Sequence, residues 1–113
     1  MHEMSLAREV LRILETQARL QKFSRVHAVT LSVGPLAAVD EHALRFALEA
    51  VIQGTFAEGA ELHIEPSVAS GCCRHCGHYF NMDSWLTPCP RCDGPARAEN
   101  GQEMQVKDLQ VSD

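Results

Sequence analysis

At residues 73–92 the chain reads CRHCGHYFNMDSWLTPCPRC, two Cys-x-x-Cys pairs separated by twelve residues. Two tight turns at this spacing present four thiolates, the donor set of a tetrahedral zinc site with no position left open for substrate. Gly77 follows the first pair and suits the left-handed backbone of such a turn. Asp93 and Gly94 follow the second pair, and Asp also visits that conformation. Pro90 presets one dihedral of the second turn. The reading is a structural zinc held by Cys73, Cys76, Cys89 and Cys92, weighed against disulfides and spectator thiols. A C-P-x-C turn can also hold a single iron, as in rubredoxin-like electron carriers.

The sequence has 113 residues, about one domain. Four of its five cysteines lie in this stretch. A segment so short buries no core of its own and depends on its metal to fold. No secretory leader and no run of 18 apolar residues is seen, which points to a cytoplasmic chain with reduced thiols and away from membranes. The formal charge is −5. A nucleic-acid partner would need a basic face, and only Arg74 and Arg91 flank the cysteines.

Before the cysteines the chain alternates helix and strand. Leu6, Val10, Ile13, Leu14 and Ala18 mark one face of a helix over 5–22, with Ser5 as N-cap. Val26–Val33 alternates as a strand with Val29, Leu31 and Val33 on one face, and Gly34-Pro35 ends it. Asp40 is placed to cap a second helix through Gln53, with Leu44, Leu48, Val51 and Ile52 inward and Gly54 at its end. A strand follows at Glu61–Glu65. Residues 66–71 read as a linker into the zinc module, which closes near Pro95. Asn100-Gly101 is a hairpin-turn signal. The last strand covers 103–111, with a bulge expected at Lys107-Asp108, where the apolar alternation slips.

The expected fold class is α+β. A small three-stranded mixed sheet carries two helices on one face, plus a zinc-ribbon insertion. Residues 1–69 with 97–113 form the α/β domain and 70–96 the ribbon. Tyr79, Phe80 and Trp85 are expected to shield the metal and fill a miniature core. Cys72 reads as a spare thiol, since its spacing to Cys76 is wrong for a knuckle. His75 and His78 read as solvated turn residues, with tuning of the zinc site as the sharper alternative. His27, His42 and His63 read as surface histidines. No Gly-rich phosphate loop and no nucleophile arrangement is present, so an enzyme is not expected.

The other end carries chemistry of a different kind. A free Met1 amine, the amide and imidazole of His2, and the amide or carboxylate of Glu3 can surround one cation in a plane. That set suits Ni(II) or Cu(II). Taken alone, such a terminus is more often a frayed end with a solvated histidine.

MHEMSLAREVL at 1–11, VGPLAAVDEHALRFALEA at 33–50, GTFAEGAELHIE at 54–65 and the cysteine module together resemble the HypA/HybF hydrogenase maturation family. The resemblance implies a nickel-binding α/β domain with a zinc-ribbon insertion. It also implies a metallochaperone for [NiFe]-hydrogenase assembly that works with a GTPase maturation partner and a hydrogenase large subunit. Carried over by position, the nickel residues are Met1, His2 and Glu3, and the zinc residues are Cys73, Cys76, Cys89 and Cys92. Cys72, Asp93 and the lack of a glycine at the end of the first helix depart from the family pattern. The competing function is a zinc-ribbon module that binds protein or nucleic acid without transferring nickel.

Overall fold

The computed structural model describes residues 2–113. In chain order its elements are α1 (His2–Gln21), β1 (Arg25–Val33), α2 (Glu41–Ile52), β2 (Glu61–Pro66), β3 (Ala69–Cys73), β4 (Tyr79–Met82), β5 (Ala96–Ala98) and β6 (Met104–Ser112). They form two three-stranded sheets, ordered β2-β1-β6 and β4-β3-β5.

The first sheet is mixed, as expected. The Val26 N–H donates to Phe56 O and the Ser67 N–H to Val33 O, so the β2 segment runs in the same sense as β1. The Ser24 N–H donates to Ser112 O and the Gly34 N–H to Glu103 O, so β6 runs the opposite way. The parallel pair needs a crossover, and α2 supplies it.

Between those two bonds to β6, β1 advances one residue more than its neighbour. Ala28 and Val29 are also buried in succession. The extra residue therefore lies in β1, and the bulge expected at Lys107-Asp108 is displaced to the facing strand. Lys107 and Asp108 are simply two exposed residues of an edge strand, and Lys107 reaches Glu65 at 2.5 Å.

The chain divides into two compact units. One comprises the chain up to Leu31 with Val39–Glu65 and Val106–Asp113; the other comprises Ser32–Ala38 and Pro66–Gln105. In the first unit α1 packs on α2. Its core joins Ala7, Val10 and Leu14 of α1 to Val26, Val29 and Leu31 of β1 and to Leu44, Leu48 and Ile52 of α2. Phe23 and Phe56 stack at 6.4 Å.

The helix ends show why the chain turns where it does. The Asp40 carboxylate accepts the Ala43 N–H at 3.1 Å, capping α2 as its position suggested. Gly54, just past the end of α2, takes a φ of 76°. After α1, which has no glycine there, Lys22 takes the left-handed conformation itself at φ 58°. α1 begins at His2, not after Ser5. Glu3 in its first turn favours the positive end of the helix dipole, and its Oε2 accepts the Asp40 N–H at 3.2 Å.

The second unit is larger than residues 70–96, because the supposed linker is structured. β3 pairs antiparallel with β4 (Ala69 opposite Met82, Cys72 opposite Tyr79) and with β5 (Cys72 opposite Arg97). Alternation turns Ala69, Gly71 and Cys73 inward, and Leu36, Ala69 and Met82 form a small buried cluster with Phe80, Ala96 and Ala98 packed on it. Space is tight at Gly71: a Cβ there would lie 2.3 Å from Met82 Sδ and 3.1 Å from Arg97 O, so its neighbours would have to move.

Asn100-Gly101 does not make a hairpin, since β5 and β6 belong to different sheets. The Asn100 side chain instead accepts the Ser70 N–H at 2.8 Å, and Gly101 O accepts the Leu36 N–H at 2.9 Å. Gly101 is left-handed at φ 91°, and a Cβ there would lie 2.2 Å from Ala69 Cβ.

Candidate metal centre

Each Cys-x-x-Cys pair folds into the same kind of turn. The Gly77 N–H donates to Cys73 O at 3.1 Å and the Asp93 N–H to Cys89 O at 2.8 Å. Each loop is closed by a return bond, Cys73 N–H to His78 O at 2.9 Å and Cys89 N–H to Gly94 O at 3.0 Å. Gly77 and Asp93 both adopt positive φ, 77° and 62°. These turns aim backbone N–H groups at sulfur: those of His75 and Cys76 reach Cys73 Sγ at 3.3 and 3.4 Å, and that of Arg91 reaches Cys89 Sγ at 3.4 Å.

The four sulfurs converge. Cys73, Cys76, Cys89 and Cys92 place their Sγ atoms within 4.8 Å of one another, with 3.4 Å between Cys73 and Cys92 and 3.7 Å between Cys76 and Cys89. A tetrahedral zinc with Zn–S bonds of about 2.3 Å needs sulfurs about 3.8 Å apart. The donor set and its spacing fit that ion. None of the thiols is joined as a disulfide.

The environment of the sulfurs is uneven. Backbone N–H groups, that of Cys76 foremost, lower Cys73 to about 6. Cys92 shares a hydrogen bond with Cys73, and that neighbour pushes it up to about 12. Binding of a metal by these four sulfurs requires that their thiol protons leave. Cys73 and Cys89 are buried while Cys76 and Cys92 are exposed.

Cys72 stands apart. It follows the opposite pleat of β3, and its Sγ lies 3.7 Å from Cys73 O and 3.6 Å from Gly77 O, away from the four-sulfur cluster. His75 and His78 are not in the cluster either. His78 stacks on Phe80 at 6.1 Å. A Cβ on Gly94 would meet the His75 ring at 2.9 Å and Cys92 Sγ at 3.2 Å, so a glycine there lets the two knuckles approach. Only the glycine's place two residues after Cys92 hints at this in sequence.

Two aromatic expectations are corrected. Tyr79 is 68% exposed and Trp85 55% exposed, so neither fills a core around the sulfurs. Alternation on β4 sends Phe80 and Met82 inward and leaves Tyr79 out. Trp85 turns its indole N–H to Leu36 O at 3.0 Å.

The N-terminal residues form no second cluster among the described residues, where the four cysteines are the one group of three or more metal-capable side chains. His2 is exposed and Glu3 half-buried in the first turn of α1, and Met1 lies outside the described residues. His27, His42 and His63 are exposed, and His27 Nε2 is 2.7 Å from Ser112 Oγ.

The whole chain can now be set beside known proteins. A family model described as "Hydrogenase/urease nickel incorporation, metallochaperone, hypA" matches residues 1–111. The chain belongs to the HypA family. Within the HypA family, the hydrogenase maturation factor of Azotobacter chroococcum mcd 1 is 43% identical over 113 residues, covering 98% of this chain and 99% of that protein. The one from Acidithiobacillus ferrooxidans (strain ATCC 53993 / BNL-5-31) is 40% identical over 112 residues, with 98% and 99% covered. The fold also matches the solution structure of the nickel metallochaperone HypA from Helicobacter pylori, with a TM-score of 0.75, 20% identity and 97% of each chain covered. A four-cysteine metal site in a HypA-family α+β fold is therefore the chemical centre of the second unit. No helix among the described residues is long and apolar enough to cross a membrane.

Proposed function

We propose that the chain is a nickel metallochaperone. It captures Ni(II) at Met1, His2 and Glu3 and hands it on during [NiFe]-hydrogenase maturation, while Cys73, Cys76, Cys89 and Cys92 hold a structural zinc. A GTPase maturation partner and the hydrogenase large subunit are the proteins it serves. It is a carrier and not a catalyst.

The observation that carries this reading is the placement of His2 and Glu3 at the first turn of α1, in a chain of the HypA family. The first N–H groups of a helix have no acceptor within the helix. The amides of His2 and Glu3 are therefore free of intrahelical bonds and can turn toward a cation. The amide or the carboxylate of Glu3 supplies the fourth donor; one carboxylate oxygen, Oε2, also accepts the Asp40 N–H at 3.2 Å. Nitrogen-dominated planar donors suit Ni(II). A terminal site also suits release, because an acceptor can approach and strip donors one at a time. The four-sulfur cluster has the opposite character: its ligands enclose the ion and leave no open position.

The test is titration of Ni(II) into protein with its native terminus, into His2→Ala, and into a form extended before Met1. Tight binding by the parent and at least about tenfold weaker binding by both variants is expected. Unchanged affinity in both would remove the site.

A further inference from the structure

The two knuckles meet sulfur to sulfur. Cys73 Sγ lies 3.4 Å from Cys92 Sγ and Cys76 Sγ lies 3.7 Å from Cys89 Sγ, so both contacts cross from one Cys-x-x-Cys pair to the other. Each contact also joins an exposed cysteine to a buried one, Cys92 to Cys73 and Cys76 to Cys89. A small oxidant can reach the exposed sulfur, and a buried neighbour at that distance can then close on it. The fifth cysteine is placed differently. Cys72 follows the other pleat of β3, its Sγ lies 3.6 Å from Gly77 O, and it is outside the four-sulfur group.

We propose that the four-sulfur site is also a redox latch: a peroxide converts it to two disulfides that cross between the knuckles, Cys73–Cys92 and Cys76–Cys89, and the metal it holds is released. With metal bound all four sulfurs are thiolates, so access decides where oxidation starts. The Cys92 thiolate attacks one peroxide oxygen. An S–O bond forms, the O–O bond breaks and hydroxide leaves; the sulfur has lost two electrons and is a sulfenic acid. Cys73 Sγ attacks that sulfur, the S–S bond forms, the S–O bond breaks and a second hydroxide leaves. Both hydroxides take protons from solvent and become water. Cys76 and Cys89 repeat these steps with a second peroxide, and a site left without thiolates no longer holds its metal. The crossing pairs join residues 19 and 13 apart in the chain, one loop inside the other, so they tie the knuckles together. Disulfides within each Cys-x-x-Cys pair would close very short loops and restrain the chain far less. The oxidised unit therefore keeps its fold after the metal has gone. A dithiol reductant, itself oxidised to a disulfide, returns four thiols that can take up metal again.

The inference rests on the reading of these sulfurs as a structural zinc site. The full chain, zinc-loaded and zinc-free, is treated with about two equivalents of hydrogen peroxide and digested with trypsin without reduction. Arg74 and Arg91 separate the two members of each Cys-x-x-Cys pair, and Arg97 ends the segment after them. The expected map joins the peptide ending at Arg74 to the peptide 92–97 and leaves 75–91 closed on itself. Either other way of pairing the four cysteines links all three peptides and overturns the latch, as does sulfinic or sulfonic acid in place of disulfides. Cys72→Ser should keep the parental map and zinc content; loss of the link between the outer peptides in that variant would assign it to Cys72 and also overturn the latch. Zinc release, read with a chromogenic chelator, should rise as thiols disappear. Hydrogen exchange in β3, β4 and β5 should be at least about tenfold slower in the oxidised zinc-free chain than in the reduced zinc-free chain. Equal exchange in the two contradicts the latch. If the chain takes up no zinc, the structural-zinc reading falls, and the digest of the zinc-free chain still decides the pairing.

Discussion

The two sheets have three strands each, those of β4-β3-β5 being shorter, and they differ in what lies against them. The β2-β1-β6 sheet belongs largely to a unit with a hydrophobic core, in which Leu14, Leu31, Leu44 and Leu48 are almost fully buried. The β4-β3-β5 sheet has an inner face of Ala69, Gly71, Ala96 and Ala98, relieved by Leu36, Phe80 and Met82. Small side chains of that kind remove little apolar area from water. On the proposed function a metal held by the four converging sulfurs would supply what the core lacks, because the free energy of metal binding becomes folding free energy in such a module. One unit has a packed apolar core; the other has close approaches at Gly71 and Gly101 and a four-sulfur site that a metal would fill.

That contrast can be broken from either side. Leu44 is fully buried on α2, so Leu44→Ala should destabilise the helical unit by about 2–5 kcal/mol. Zinc stoichiometry should stay at the parental value; loss of zinc in the same variant would mean that the two units share a core. A smaller effect is expected for Gly101→Ala. The added methyl would collide with Ala69 in a left-handed backbone, costing the ribbon unit about 2–3 kcal/mol. Chemical denaturation monitored at Trp85, the only tryptophan, reads that unit. An unchanged transition would show that the Ala69–Gly101 approach is not needed.

What could be read from sequence follows the same division. The metal-bearing turns were legible because their chemistry is local. Cysteine spacing, Gly77 and Asp93 specify the knuckles within a few residues of one another. The cap at Asp40 and the apolar faces of α1 and α2 were legible for a similar reason, since periodicity and capping act along one helix. Residues 66–71 looked like a linker because Ser, Ala and Gly have little β-propensity. They form β3 because only small residues let Met82 and Gly101 come so close, a constraint set by distant parts of the chain. The same holds for Asn100-Gly101, whose turn chemistry is real but serves the Ser70 and Leu36 backbone groups. The slip in apolar alternation at Lys107-Asp108 suggested a bulge, yet the extra residue lies in the facing strand. Sequence pattern on one strand does not say which partner absorbs a mismatch.

The four sulfurs are also the reason to look elsewhere for transferable metal. A cluster whose ligands enclose the ion suits holding. On the proposed function the exposed His2 at the start of α1 would be the place of exchange; the Glu3 carboxylate ties that start to the capped end of α2. Structural and exchangeable metal would then sit in separate units and draw on separate donors.

Hydrogen exchange of the zinc-loaded chain, followed before and after a chelator removes the metal, tests the contrast most directly. Peptides covering β3, β4 and β5 should lose their protection, while those covering α1 and α2 keep most of theirs. Protection lost equally across both units, or retained in β3 to β5 without metal, would contradict the account.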